Sequence, residues 1–326
     1  MKKIMEKLKS FLADEIEGYL ALRRNLGLRG RCCRDGLRFF DRYVLDTKAE
    51  WDDLIPGFFL RYQSNIPGQN RTVNLNIQAV YGFFNYLVRK EVVKYNPLQD
   101  IPSRPEPRFI PFIFTPQEVD LLLLKAQQRI RREEKYFFRD YTVATAFMLL
   151  ARCGMRISEP LGLVVDSYRP DDRTIYIRKT KFYKDRLIPL PAGVARNLEN
   201  YLAMRSLLLK TENPYLFPGI FPGRGLSPGY IYPLFYQVVE DIGIKRKRHV
   251  IGTTIFSAPV VHSLRHSFAV NTLKQMANPQ NGLPVLAAYM GHRKYAYTAL
   301  YLKMLDADQR NNLAHFTMSH REEQCS

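Results

Sequence analysis

Apolar positions recur at helical spacing through the first hundred residues. Leu8, Phe11, Leu12, Ile16, Tyr19 and Leu20 form one stripe, and Leu37, Phe40 and Val44 form a second. Phe59 and Tyr62 belong to a third, which begins near Pro56. The clearest stripe is Val73, Ile77, Val80, Phe84 and Leu87, in steps of 4, 3, 4 and 3. That spacing marks one face of a long amphipathic helix. Four such helices with short connections predict a small bundle over residues 1–100.

Pro97, Pro102, Pro105, Pro107 and Pro111 then fall within fifteen residues. Proline at this density excludes helix and predicts an extended linker, set at 101–114. Thr115-Pro116-Gln117-Glu118 has capping-box spacing with proline at the first helical position, so a second domain opens there. Its first helix buries Val119, Leu122 and Leu123, and a second covers about Thr142 to Arg152. Alternating segments at Leu163–Tyr168, Thr174–Arg178 and Arg186–Leu190 predict strands, with a turn at Pro170-Asp171-Asp172. Helical patterning returns at about Gly193–Leu209, Pro228–Ile242, Ser263–Met276, Leu283–Met290 and Tyr295–Leu305. Ser227-Pro228 reads as another N-cap followed by proline. The second domain is set at 115–312 and a tail at 313–326.

Charge adds a partner class. The 326 residues carry a formal charge of +18, yet 46% are hydrophobic and 13% aromatic. A disordered basic tail is excluded, and a polyanionic partner is implied, nucleic acid before membrane. Residues 1–108 hold 19 basic and 13 acidic side chains, and the rest hold 30 and 18. Both parts are positive, so the partner is expected to touch both. Four cysteines, with Cys32 and Cys33 adjacent and Cys153 and Cys325 isolated, make neither a disulfide framework nor a zinc spacing. Acidic residues from Glu6 to Glu17 interrupt any signal peptide, and the apolar run near Val143–Ala151 is short of the ~20 residues a membrane span needs. A reduced, intracellular protein is expected.

Four segments hold candidate chemistry. In Arg152-Cys153-Gly154-Met155-Arg156-Ile157-Ser158-Glu159, a helix ends at the glycine and Glu159 can orient the Arg156 guanidinium. Lys179, Lys181, Lys184 and Arg186 cluster about a strand–turn–strand, either as a solvated tip or as a phosphate contact. In His262-Ser263-Leu264-Arg265-His266, His262 and Arg265 share a helix face, while His266 reads as structural. Gly291-His292 is followed nine residues later by Tyr301. Taken together, these residues could converge on one anion. Phosphoryl chemistry needs charge on the nonbridging oxygens, an acid for the leaving oxygen and a nucleophile, and each has a candidate. No acidic cluster offers a magnesium site, so protein cations would take the metal's place, and no cofactor is expected.

In this order the segments R-I-S-E-P-L-G-L, K-x-x-K-x-R-x-x-P, H-x-L-R-H-S-F-A and G-H with a later tyrosine resemble the tyrosine recombinase (phage integrase) family. The resemblance covers the second domain, and the helical first domain resembles the family's core-binding domain. It implies a mostly α fold, with an N-terminal SAM-like clamp and an α+β catalytic domain holding a small antiparallel sheet. It also implies that Tyr301 attacks a DNA phosphate to leave a 3′-phosphotyrosine, which conserves bond energy without ATP. Arg156 and Arg265 would hold the nonbridging oxygens, Lys181 would protonate the leaving 5′-oxygen and His262 would assist proton transfer. His292 would pack on the phosphate, and Glu159 would brace the set.

The partners implied are double-stranded DNA and three further copies, a homo-tetramer on two DNA sites with a Holliday-junction intermediate. The setting implied is the cytoplasm, at the nucleoid, and a mobile element is favoured. Lys179, Lys184, Arg186, Lys245, Arg246, Lys247 and Arg248 are candidate DNA contacts. The stretch 244–259 and the segment Asn278–Pro284 read as long loops, and Leu313, Phe316 and Met318 could pack on a neighbour. Two alternatives stay open on sequence alone: a non-catalytic DNA-binding protein of the same fold, or a topoisomerase of that fold.

Overall fold

The computed structural model describes residues 7–28, 30–178, 185–209, 211–276, 279–292 and 298–302. The chain divides into two compact units, 1–107 and 108–326.

The first unit holds four helices: α1 (Ala13–Asn25), α2 (Arg31–Thr47), α3 (Pro56–Asn65) and α4 (Asn70–Arg89). All five residues of the α4 stripe are buried, and Leu12, Ile16, Leu37, Phe40, Phe59 and Tyr62 join them in one core. Phe40 and Phe84 both pack against Phe59, the latter edge-on at 5.2 Å between centroids. Phe11 departs from its stripe. It precedes α1, is 43% exposed and sits edge-on to Trp51. The chain before α1 is tied instead by Asp41, whose carboxylate accepts from the backbone N–H groups of Lys9 and Ser10 and from the Ser10 hydroxyl.

The proline-rich segment contains no helix, as its composition requires, but it is not a free linker. Prolines lack an N–H yet keep a carbonyl, and side-chain amides of α3 and α4 take up carbonyls along this stretch. Gln63 donates to Pro102 O, Asn70 to Pro105 O and Asn74 to Arg104 O. From Arg108 the chain belongs to the second unit, where β1 (Arg108–Ile110) forms and Phe112 and Phe114 are buried.

The second unit continues through α5 (Pro116–Gln128) and α6 (Glu134–Arg152). The Thr115 capping box forms as its spacing demands. Phe114, Phe147 and Phe235 are fully buried at the centre of the core, each worth roughly 1.5–3 kcal/mol of apolar transfer. A three-stranded antiparallel sheet follows, β2 (Tyr168–Arg169), β3 (Thr174–Ile177) and β4 (Arg186–Pro189). The first strand is shorter than its alternation suggested. Residues 160–167 form two 3₁₀ turns, and Leu163 pairs sideways by accepting from Leu216 N, so only Tyr168 and Arg169 reach the sheet.

Helices α7 (Ala192–Leu208), α8 (Pro228–Asp241), α9 (Val261–Gln275) and α10 (Pro279–Met290) complete the unit. Two expected loops are ordered differently. Stretch 244–259 contains a hairpin, β5 (His249–Ile251) and β6 (Thr254–Phe256), and β6 pairs in parallel with β1. A second small sheet therefore joins β1 to β6, paired residues such as Arg108 and Thr254 lying far apart in sequence, which no local pattern announces. Most of Asn278–Pro284 is the first turn of α10, which starts on Pro279. Among the described residues no helix is long and apolar enough to cross a membrane.

Candidate active site

The site begins where α6 stops. Gly154 has φ +55°, and a Cβ there would lie 2.4 Å from the Phe268 ring, so both the left-handed turn and the close approach require glycine. The turn frees Gly154 O to accept from Arg265 and carries the chain to Arg156 and Glu159. The Glu159 carboxylate is 7% exposed and accepts from Arg156 N at 2.8 Å and Arg156 Nη1 at 2.9 Å. Both terminal nitrogens of Arg186 also reach it, at 3.1 and 2.8 Å, and Arg265 stands 4.0 Å away. Burial by itself would push the carboxyl up. Arg186, with help from the Arg156 N–H and Arg265, outweighs it and holds Glu159 below the usual carboxylate range.

Arg265 is 2% exposed on α9 and donates to Gly154 O and Met290 O. Burial and the neighbouring Arg156 lower its pKa to about 10, so it remains a cation at neutral pH. Arg156 also donates to Gly291 O at 3.3 Å, which ties the end of α6 to the turn after α10. α9 itself is registered by Ser267, which accepts from Phe114 N, and by Asn271, which donates to Phe114 O.

His262 and His292 flank this cluster. His262 is exposed at its edge and His292 half-buried; loss of solvation first, then Arg265 and Arg156, keeps both imidazoles neutral, with His292 lowered to about 4. His292 Nδ1 lies 2.8 Å from Thr298 Oγ1, and its ring stacks near Tyr301 at 6.3 Å between centroids. Tyr301 is 3% exposed and packs with Ala269, Val270, Leu273 and Met290. Burial raises its phenol pKa, while Arg265 and Arg156 act the other way. Three guanidiniums thus face one carboxylate, with a phenol and neutral imidazoles alongside. That arrangement takes an anion and presents it to a nucleophile.

The structure brings together Arg156, Glu159, His262, Arg265, His292 and Tyr301. Lys179, Lys181 and Lys184 lie outside the described residues, as do Leu313, Phe316 and Met318. Lys245, Arg246, Lys247 and Arg248 are exposed on the approach to β5. Arg186 is corrected. Rather than facing a DNA backbone, its side chain is 9% exposed, bridges Glu159 and donates to Tyr289 O at 2.9 Å. The strand alternation could have signalled this, because Arg186 shares a face with the fully buried Ile188 while Leu187 is exposed. His266, read as structural, is half-buried, and its Nδ1 sits 3.0 Å from Tyr301 Oη, a contact to which no short-range pattern pointed.

The site can hold an anion beside a phenol, and the comparisons give the class. Residues 114–308, more than half of the chain, match the model described as the phage integrase family. The chain belongs to that family and is a tyrosine-type site-specific recombinase. It is 29% identical over 302 residues to y4rB of Sinorhizobium fredii, described as an integrase/recombinase, covering 90% of this chain and 93% of that one. It is 28% identical over 272 residues to a tyrosine recombinase of Pseudothermotoga lettingae, covering 82% and 84%. The crystal structure of XerH site-specific recombinase in a post-cleavage complex with palindromic difH substrate shares the fold. Its TM-score is 0.66 at 20% identity, over 91% of this chain and 82% of that one.

Proposed function

We propose that the recombinase cuts double-stranded DNA by attack of Tyr301 on a scissile phosphate. The attack leaves a 3′-phosphotyrosine and a free 5′-hydroxyl, and strands are exchanged through a Holliday junction. Arg156 and Arg265 hold the nonbridging oxygens, where their charge gains most as the phosphorane forms. His292 and His262 lie on the same oxygens as hydrogen-bond donors, and Glu159 with Arg186 keeps the two arginines in register. Lys181 protonates the departing 5′-oxygen, an assignment that rests on motif spacing. The helical unit 1–107 clamps the duplex, and the exposed Lys245–Arg248 run contacts its backbone. Four protomers act on two duplexes at the nucleoid, and the description of y4rB as an integrase/recombinase supports a mobile-element setting.

The observation that carries this reading is the phenol of Tyr301 set beside His292 and within electrostatic reach of Arg156 and Arg265. Trapping covalent protein–DNA complexes from the host's own DNA tests it and maps the site. Wild type is expected to give an adduct at one sequence, and Tyr301→Phe none. An adduct with Tyr301→Phe would remove the nucleophile assignment.

A further inference from the structure

His266 lies one helical turn beyond His262 on α9, and the family motif gave it no part in the chemistry. Its Nδ1 is nevertheless 3.0 Å from Tyr301 Oη, with the rings at 61°. The phenol is buried among Ala269, Val270, Leu273, Leu286 and Met290, whose side chains offer nothing better than the weak thioether acceptor of Met290. The groups facing His266 are His262, edge-on at 4.7 Å, and Arg265 from its own helix, with His292 and Tyr301 from beyond α10. Burial first, then His262, Arg265 and His292, lowers its pKa to about 3, so the ring is neutral and one nitrogen is a bare acceptor.

A phenol with an ordinary pKa near 10 must give up its proton as it attacks phosphorus. Building on the reading of Tyr301 as nucleophile, we infer that His266 is a further catalytic residue, whose Nδ1 accepts the Tyr301 hydroxyl proton during DNA cleavage. The step balances. Tyr301 Oη bonds to phosphorus, the P–O5′ bond breaks, the phenol proton moves to His266 Nδ1, and the 5′-oxygen takes a proton from its own acid. Religation runs the same transfers backwards.

Burial and the neighbouring Arg265 explain the timing. With the site empty they make His266 a weak base, and Tyr301 keeps its proton. A scissile phosphate beside Arg265 and His292 adds negative charge in the same low-dielectric pocket, which favours the imidazolium. The bound substrate therefore raises the basicity of the group that deprotonates its attacker, and an unoccupied tyrosine stays protonated. His262 remains free to act on the phosphate oxygens.

Two measurements on the full chain test this. In ¹⁵N-histidine spectra without DNA, His266 is expected in the Nε2–H tautomer, with an Nδ1 resonance that moves in Tyr301→Phe. The opposite tautomer, or an unmoved resonance, overturns the inference. The second is single-turnover adduct formation on a nicked duplex carrying the trapped site. His266→Ala and His266→Gln are both expected to be slowed about 10²-fold near neutral pH, the usual worth of a positioned base, and to regain about tenfold per pH unit. Glutamine keeps a hydrogen-bond acceptor but cannot hold the proton, and it covers the case in which alanine fails to fold. His266→Gln at wild-type rate with an unchanged pH profile overturns the inference while leaving Tyr301 as nucleophile. An adduct formed by Tyr301→Phe removes both.

Discussion

Replacing Arg186 with methionine should cost the second unit roughly 3 kcal/mol. The side chain spans three elements: it leaves β4, places two hydrogen bonds on Glu159 beyond the end of α6, and a third on Tyr289 O near the end of α10. Methionine has similar reach but donates nothing. Removing one partner of a buried ion pair typically costs 3–5 kcal/mol, because the other charge is left uncompensated. Here Glu159 keeps Arg156 at 2.9 Å and Arg265 at 4.0 Å, so the lower end applies.

The pH dependence carries a sign as well. In the wild type Glu159 sits below its reference of 4.5, so its contribution is present above that pH and is lost as pH falls through the depressed value. Without Arg186, burial becomes the dominant influence and the carboxyl moves up. Its penalty then grows as pH rises above about 4.5. Urea unfolding followed by far-UV circular dichroism at pH 5 and pH 7.5 measures both. Trp51, the single tryptophan, lies in the first unit, so its fluorescence transition should be unaffected and serves as an internal control. Adding Glu159→Gln to Arg186→Met should recover part of the loss at pH 7.5. A loss below about 0.5 kcal/mol, or one that shrinks with rising pH, would refute the brace.

Two further outcomes follow from the same geometry. Gly154→Ala forces φ +55° on a residue with a Cβ and drives that atom to 2.4 Å from the Phe268 ring. Left-handed strain of about 1–2 kcal/mol and overpacking of about 1–3 kcal/mol should lower the melting temperature by several degrees, and an unchanged melt would show that the turn is relaxed. DNA binding near pH 6 should take up protons, since His262 and His292 are kept neutral by loss of solvation first and then by Arg265 and Arg156, and a bound phosphate will counter the arginines. Calorimetry in two buffers of different ionisation enthalpy reads this directly, and equal heats would exclude the coupling.

Much of the architecture is written locally. The α4 stripe, the Thr115 capping box and the Ser227-Pro228 start are short-range patterns, and periodicity and capping operate within a turn or two of helix. The motif order likewise pointed to Arg156, Glu159, His262, Arg265, His292 and Tyr301, because helix ends and turns position those side chains. What the sequence could not announce depends on pairing between distant segments. β1 finds β6 from across the unit, and the proline-rich stretch is held by amides of α3 and α4. The charge pattern offered Arg186 as a DNA contact, and burial against Glu159 made it a brace. His266 read as a structural histidine, and only packing of Tyr301 against α9 set the two 3.0 Å apart. A side chain's type limits what it can do, but whether a cation meets solvent or a carboxylate, and whether an imidazole meets apolar core or a phenol, is decided by burial and by neighbours that arrive from elsewhere in the chain.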